Sequence, residues 1–348
     1  MKIALWGKEE EVIKKIYKNY KLKKKEKIFN EDNQFKYLIY ALEKNNNVLL
    51  LDKVENYNEV DLYIYIDFPD IGKEFVKKAF DSKKNNFLIT LENQIIHPEN
   101  FKRKNLSLFN KVFTWDDELI DNIKYFKYSI TYSLNSKILN LNQRDNLCCM
   151  IAVNKVINYN KSLYKKRLEC IKWFENNYYK DFSLYGLNWD RRYVVGPKFL
   201  RIINRINIIT KFLSYNFRSY KGQILGSTEA KINILRKYKF SIVFENADNL
   251  KGYITEKIFH CFFALTVPIY YGATNISVHI PKECFINMRN FKNYNDLYKY
   301  IKNLDTRSYK KYISNIKSFL SSKKFKPFTN QHSVQVVLNE ISKIKVND

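Results

Sequence analysis

The chain has 348 residues, of which 45% are hydrophobic and 16% are aromatic, enough to build one large or two ordinary globular cores. Its 8 Gly and 6 Pro are few for this length, which excludes collagen-like and proline-rich classes and favours regular secondary structure. The 61 basic and 35 acidic residues give a net charge of +26, but the abundance of Lys, Asn, Ile, Tyr and Phe is typical of AT-rich coding. The charge therefore predicts some anionic ligand or surface and no particular polyanion.

The cysteines and the apolar runs indicate the compartment. No CxxC pair occurs among the five cysteines, so reduced thiols in a reducing compartment are expected at Cys148, Cys149, Cys170, Cys261 and Cys284. The first seven residues read as a buried strand rather than a signal peptide, because no long apolar region follows them. No stretch of about 18 apolar residues occurs, so no membrane-spanning helix is predicted.

The first half of the chain alternates strand and helix patterns. A Lys-rich helix and loop is predicted at 9–27, helices are predicted near 35–42 and 75–80, and strands at 2–6, 48–51, 62–66, 87–90 and 112–114. This alternation predicts βαβ units and a parallel sheet, hence a Rossmann-like domain. No GxGxxG follows the first strand, which disfavours dinucleotide binding in this half.

The second half has the same character. After a polar linker at 129–146, helices are predicted at 163–174 and 255–265, and strands at 147–153, 181–186, 240–244 and 267–271. Two such halves predict a GT-B architecture, with two Rossmann-like domains facing across a cleft. The expected domains are one Rossmann-like domain at 1–140, a second at 141–328, and a helix at 329–348 that packs back on the first domain.

A helical apolar stripe with many lysines runs from Tyr309 to Leu320. We interpret it as an amphipathic helix packed on the body of the protein. Adsorption on an anionic membrane is the alternative, since basic amphipathic helices bind such surfaces.

The segment 238–291 carries the most chemical information. A buried strand ends at Phe244 and delivers Glu245 and Asn246 to the edge where open α/β sheets bind ligands. Thr255 is then placed as the N-cap of a helix whose first turn contains Lys257. A lysine there opposes the helix dipole but suits a bound phosphate. By residue type alone, an ordinary capped helix is the commoner explanation.

The same segment resembles the signature region of the α-1,3-fucosyltransferases, glycosyltransferase family 10. The resemblance rests on four motifs in order, namely Phe244-Glu245-Asn246, Tyr253-Ile254-Thr255-Glu256-Lys257, Val267-Pro268-Ile269 and the run from Phe285-Ile286 to Phe291. It implies that the domain at 1–140 binds the acceptor and that the domain at 141–328, the donor domain, binds GDP-fucose. The implied donor site contains Arg167, Glu245, Asn246, Tyr253, Thr255, Glu256 and Lys257.

The resemblance also implies roles. Lys257 would contact phosphate, Glu256 would accept from donor hydroxyls, and Glu245 has no assigned role. A diphosphate-binding arginine is expected on the first helix of the donor domain, and Arg167 fits best by its helical spacing to Cys170, Ile171 and Phe174. An equal alternative is that Arg167 is an ordinary surface charge, because the adjacent Lys165 and Lys166 make this a generally basic stretch.

The expected catalytic base is Glu92, which follows the strand at 87–90 as the family's glutamate does. An inverting transfer needs one carboxylate to take the acceptor's proton. An ordinary exposed strand-end glutamate is the alternative, and Glu99 is the reserve candidate for the base.

Asp116-Asp117-Glu118 is a candidate metal site, because it resembles carboxylate clusters that hold Mn²⁺ in other transferases. A solvated helix N-terminus is the preferred interpretation, since acidic residues favour that position. The four histidines, His97, His260, His279 and His332, show no ligand spacing. We therefore expect no obligatory metal, with Mn²⁺ or Mg²⁺ at most stimulating.

The sequence thus predicts an inverting fucosyltransferase that moves L-fucose from GDP-fucose to a sugar hydroxyl, the 3-OH of GlcNAc or Glc being expected. The acceptor would be a glycan or lipid-linked oligosaccharide of a surface glycan or lipopolysaccharide. The expected location is cytoplasmic, with a peripheral contact at the inner membrane face as an option. A related GT-B enzyme using another nucleotide sugar is the alternative. A nucleic-acid-binding protein is a remote alternative. No nucleic-acid partner is expected, because the sequence has no zinc-ligand spacing and no RNP-type aromatic run.

Overall fold

The computed structural model describes residues 1–7, 14, 17–18, 34–130, 144–155, 157, 159–194, 200–223 and 228–344. Most of the predicted helix and loop at 9–27 and of the predicted linker at 129–146 lies outside these residues. The chain divides into two compact units. Unit 1 consists of 1–137, 251–254 and 325–348, and unit 2 consists of 138–250 and 255–324.

The strands among the described residues are β1 (Lys2–Gly7), β2 (Asn47–Leu50), β3 (Leu62–Ile66), β4 (Asn85–Thr90), β5 (Lys111–Thr114), β6 (Tyr125–Lys127), β7 (Asn146–Ile151), β8 (Phe182–Tyr185), β9 (Tyr238–Phe244), β10 (Val267–Tyr271) and β11 (Ile286–Asn287). The α-helices are α1 (Gln34–Glu43), α2 (Glu74–Asp81), α3 (Arg103–Leu106), α4 (Tyr164–Tyr178), α5 (Asn207–Phe212), α6 (Thr228–Leu235), α7 (Glu256–Phe263), α8 (Ile276–His279), α9 (Tyr294–Asn303), α10 (Thr306–Leu320) and α11 (Asn330–Ile341). Short 3-10 helices span Leu51–Lys53, Tyr57–Glu59, Pro98–Phe101, Leu200–Arg205, Lys282–Cys284, Met288–Asn290 and Lys323–Phe328.

Unit 1 is built on a parallel sheet with the strand order β2-β1-β3-β4-β5-β6. All five residues of β3 are buried, as expected for a strand covered on both faces. Helix α1 buries Leu38, Ile39 and Leu42 in the core on one face of the sheet. Helix α11 joins the same core through Val334 and Val337, so the C-terminal helix of the described chain packs within unit 1.

Unit 2 is built on a second parallel sheet, with the order β11-β10-β9-β7-β8. Helix α4 packs on β8, and the ring centroids of Phe174 and Phe182 are 4.7 Å apart. The stripe on α10 is also buried, with Phe319 against Phe262 on α7 at 5.8 Å between ring centroids. The apolar face that adsorption on a membrane would use is therefore occupied by packing within unit 2.

The two parallel α/β units confirm the predicted fold class. One prediction is wrong: residues 116–119 form a turn and not the start of a helix. All five cysteines are buried and free. Among the described residues, every helix is too short or too polar to cross a bilayer.

Candidate donor-binding site

The strand order of unit 2 reverses between β7 and β9. The chain runs from β7 outward to β8, then returns to place β9 on the other side of β7. In open parallel sheets, ligands bind beside the carboxyl ends of the strands at such a point. A cavity of about 440 Å³ lies there, lined by the ends of β7 and β9, by Gly186 after β8, and by the first turns of α4 and α7.

Basic side chains dominate the charge of this cavity. Its lining includes Lys155, Arg167, Lys231 and Lys257, and Glu256 is the one carboxylate among the described residues that line it. Burial, and then the neighbouring ammonium of Lys257, lower the pKa of Lys231 below its usual value. A neutralising anion would relieve this repulsion, so the electrostatics suit a phosphate-bearing ligand.

Arg167 is held firmly at the cavity. Only 4% of its surface is exposed, and its Nη2 donates to the carbonyl oxygens of Phe244 at 3.1 Å and Glu245 at 3.3 Å. The guanidinium also lies 4.8 Å from the ring centroid of Tyr164. Lys166 instead donates to the Tyr271 hydroxyl at 2.6 Å. The structure therefore excludes the alternative in which Arg167 is a surface charge.

The start of α7 is fixed by a buried carboxylate. Glu245 is 0% exposed and accepts hydrogen bonds from the Thr255 N–H at 2.9 Å, the Thr255 hydroxyl at 2.8 Å and the Lys257 ammonium at 3.2 Å. Thr255 occupies the N-cap position, as predicted, although its hydroxyl donates to Glu245 and makes no capping bond. Neither Glu245 nor Thr255 lines the cavity; of the two residues that Glu245 holds, Lys257 borders it.

Two glycines allow the backbone to pass closely around this site. A Cβ on Gly272, after β10, would lie 2.5 Å from the Cγ of Glu245. Gly186, which lines the cavity, has φ +126°, and a Cβ there would lie 1.8 Å from the carbonyl oxygen of Ala152. Both positions accept only glycine without rearrangement.

The predicted donor residues do not all meet at the cavity. Arg167, Asn246, Glu256 and Lys257 line it. Tyr253 belongs to unit 1, where its buried ring packs edge-on against Trp115 with centroids 4.8 Å apart. Its neighbour Gly252 has φ +81°, and a Cβ there would meet the Trp115 carbonyl oxygen at 2.3 Å. In this structure Tyr253 therefore anchors the 251–254 segment and does not line the cavity.

Three basic residues line the cavity that were not predicted from the sequence as site residues. Lys155 follows the end of β7, where the rule for sheet edges would have found it. Lys231 lies on α6 and reaches the cavity only through tertiary packing. His260 lies one turn along α7 from Glu256, and burial lowers its pKa to about 4, with Lys231 and Lys257 adding to the effect and Glu256 opposing it.

Glu92 lies in unit 1, after β4, and its backbone is bound on both sides. Its N–H donates to Asp67 Oδ1 at 3.1 Å, and its carbonyl oxygen accepts from Asn100 Nδ2 at 3.0 Å. Glu99 is tied elsewhere, because its carboxylate accepts from Lys102 and from Asn105. The hydrogen bond from Lys102 is the largest cause of a lowered pKa at Glu99, which weakens it as a base.

The acidic cluster at 116–118 is divided among separate partners. Asp117 pairs with Lys127 at 2.6 Å and Glu118 pairs with Lys251 at 2.9 Å. Burial raises the pKa of Asp116, whose carboxylate accepts the Glu118 N–H. Within the described part of the chain, no group of three or more His, Cys, Asp or Glu is arranged to hold a metal ion.

Comparison with solved structures defines the fold. The chain is similar to an α1,3-fucosyltransferase solved with GDP-fucose, with a TM-score of 0.58 and 18% identity over 100% of this chain and 91% of that one. It is also similar to Alr3699/HepE of Anabaena, solved with UDP and glucose, with a TM-score of 0.52 and 13% identity over 98% and 99% of the two chains. Identities this low establish the fold alone. That fold is GT-B, as the sequence predicts.

Comparison with families then identifies the relatives. Residues 208–341 match the C-terminal model of glycosyltransferase family 10, described as fucosyltransferase. Over 88 residues the chain is 40% identical to the alpha-(1,3)-fucosyltransferase FucT of Helicobacter pylori, which covers 25% of this chain and 18% of that protein. The match thus spans less than a fifth of that relative's length. Residues 208–341 are thus similar to the C-terminal part of glycosyltransferase family 10, which confirms the predicted resemblance to that family.

Proposed function

We propose that this chain is an inverting fucosyltransferase that moves L-fucose from GDP-fucose to a sugar hydroxyl. One observation carries the proposal: Arg167, Lys231 and Lys257 surround a cavity of about 440 Å³ at the strand reversal of unit 2, which contains most of the family segment. That volume and charge suit a nucleoside diphosphate. The named activity of the H. pylori relative and the GDP-fucose bound to the structural neighbour support the choice of donor.

In this proposal the cavity binds the donor through its diphosphate. Arg167 and Lys257 neutralise the phosphates, and the first turn of α7 adds the positive end of the helix dipole. Glu256 accepts hydrogen bonds from donor hydroxyls, and Asn246 supplies a neutral polar group beside them. These groups stabilise the charge that develops on GDP as it leaves.

The transfer itself is a single displacement. The acceptor hydroxyl attacks the anomeric carbon, and its proton passes to the Glu92 carboxylate. The bond between that carbon and the β-phosphate oxygen breaks, and its electron pair leaves with GDP. Attack from the face opposite the leaving group inverts the configuration.

Three further features stay proposals. We propose that protein cations suffice to neutralise the diphosphate, so that Mn²⁺ or Mg²⁺ at most stimulates. The acceptor is proposed to be the 3-OH of GlcNAc or Glc in a glycan or lipid-linked oligosaccharide. The proposed location is the cytoplasm, at the inner face of the membrane where such acceptors are assembled.

The testing experiment separates donor recognition from transfer. Calorimetric titration compares GDP-fucose with GDP-mannose and UDP-glucose, with and without EDTA, and a glycan array then supplies acceptors. We expect GDP-fucose to bind most tightly and to be turned over. Preference for UDP-glucose would instead favour the related GT-B enzyme with a different donor.

Two matched variants test the base. Glu92→Gln should lower transfer at least about 100-fold, to a small residual rate, while GDP-fucose still binds, because the amide cannot accept the proton. Glu99→Gln removes an equal charge from a carboxylate already bound by Lys102 and Asn105, and should retain most activity. Equal losses in the two variants would remove Glu92 from the proposed role.

A further inference from the structure

Asp67 is a buried carboxylate that no step above uses. It follows β3 at the carboxyl edge of the unit 1 sheet and has φ +58°, a left-handed conformation that costs about 1 kcal/mol for a residue other than glycine. Its Oδ1 accepts three hydrogen bonds, from the Leu91 N–H at 2.8 Å, the Glu92 N–H at 3.1 Å and Asn100 Nδ2 at 2.6 Å. Asp67, in its strained backbone conformation, thus accepts hydrogen bonds from the segment that follows β4.

Asn100 completes the arrangement from the other side. It is 0% exposed, and its Nδ2 donates to the Glu92 carbonyl oxygen at 3.0 Å as well as to Asp67. Its Oδ1 accepts the N–H of Phe68 at 2.7 Å, which ties Asn100 to the residue after Asp67. The backbone of Glu92 is therefore bound at its N–H by one buried side chain and at its carbonyl by another.

We propose that Asp67 and Asn100 are positioning residues for Glu92, an inference that rests on the proposed function of Glu92 as the base. A base must stay within hydrogen-bond reach of the proton that it takes, and a misplacement of about 1 Å can cost on the order of 100-fold in rate. Glu92 lies on a loop, where backbone position is set by few bonds. The Asp67 carboxylate supplies charge-assisted bonds, which are about twice as strong as neutral ones.

Three variants test whether the Asp67 carboxylate positions Glu92. Asp67→Ala removes the acceptor of all three bonds. Asp67→Asn keeps an oxygen that can accept them but removes its charge, so it should act as the partial rescue and guards against misfolding of the alanine variant. Asp61→Ala is the matched control, because Asp61 also accepts a backbone N–H, that of Lys2 at 2.7 Å, at the opposite end of β3.

The kinetic arm measures kcat, KM and GDP affinity. Asp67→Ala should lower kcat by about 10- to 100-fold, with the dissociation constant for GDP changed less than about twofold, because the donor cavity lies in unit 2. Asp67→Asn should recover a large part of the loss, and Asp61→Ala should stay near wild type. An unchanged kcat in Asp67→Ala overturns the proposal.

A double-mutant cycle distinguishes positioning from general stabilisation. If Asp67 acts through Glu92, adding Asp67→Ala to Glu92→Gln should change the residual transfer by less than about twofold. A further loss as large as that seen in the wild-type background would show a merely structural role and overturn the proposal.

Amide hydrogen exchange keeps failure of this inference distinct from failure of the proposed function. Asp67→Ala should lose protection at the Leu91 and Glu92 amides, and Asp61→Ala should not. If wild type shows no fucosyl transfer, the proposed function fails, while the exchange result still decides whether Asp67 holds this loop. Unchanged protection at both amides overturns the positioning inference whatever the activity.

Discussion

The Nζ of Lys257 lies 3.2 Å from Oε2 of Glu245, a carboxylate with no exposed surface. This bond joins the end of β9 to the first turn of α7 across the intervening loop. The two partners have different surroundings, since Lys257 borders the cavity and Glu245 does not. We infer that Glu245 stabilises the site and that Lys257 contacts what binds there.

The first prediction concerns this pair and stability. Glu245→Gln should lower the free energy of unfolding by about 2 kcal/mol, because a buried carboxylate with three donors loses its charge. Lys257→Met should cost a similar amount by leaving that carboxylate without its cation. Urea unfolding of both variants and of the double variant should show a coupling of about 1 kcal/mol. Strict additivity would contradict the assigned contact.

The second prediction concerns Lys231, which the resemblance did not assign. Lys231→Met should weaken GDP binding about tenfold, since a hydrogen bond to a charged group contributes about 1.5–3 kcal/mol. The control is Lys239→Met, which removes the same charge from an exposed position on β9. Calorimetric titration with GDP provides the comparison. Equal weakening in the two variants would indicate a general effect of net charge and remove Lys231 from the site.

The burial and length of each strand determine whether it could be predicted from the sequence. Parallel strands covered on both faces are continuous apolar runs, so strands such as β3 and β9 stand out in the sequence. The sequence analysis missed β6 and β11, because these edge strands of three and two residues have too short a pattern. The acidic residues at 116–118 suggested the start of a helix. In the structure a hydrogen bond within a turn and ion pairs with two separate lysines stabilise a turn instead.

The site was predictable only where chemistry follows local sequence. The resemblance implied an arginine on the first helix of the donor domain, and helical spacing selected Arg167. Asn246, Glu256 and Lys257 came from the family motifs, and all four residues line the cavity. Side chains that reach the cavity only through tertiary packing could not be predicted from local sequence. Lys231 reaches the cavity from a separate helix.

The third prediction uses a pair of glycines with positive φ. Gly186 and Gly222 have φ +126° and +113°, but only at Gly186 would a Cβ meet backbone, at 1.8 Å from the Ala152 oxygen. Gly222→Ala should therefore cost about 1–2 kcal/mol from backbone strain alone. Gly186→Ala should cost several kcal/mol, because relief of the clash requires β7 and β8 to separate near the cavity.

Urea unfolding and GDP titration of both alanine variants check this expectation. Gly222→Ala should bind GDP normally, whereas Gly186→Ala should bind it weakly or fail to fold. If the two variants were equally stable, the close approach of Gly186 to Ala152 would be contradicted.

The last prediction concerns the pH dependence of stability through His260. Burial lowers its pKa to about 4 in the folded chain, against an ordinary value of 6.5. Between these two values the unfolded chain binds the extra proton and the folded chain does not, so stability is full above pH 6.5 and falls as the pH drops. The loss attributable to His260 between pH 7.5 and pH 5 should be about 2 kcal/mol. His260→Gln should lose this part of the slope, whereas His279→Gln, on α8 outside the cavity, should keep it. Urea unfolding of the three proteins at both pH values gives the comparison, and an identical slope in wild type and His260→Gln would show that the buried imidazole does not stay neutral.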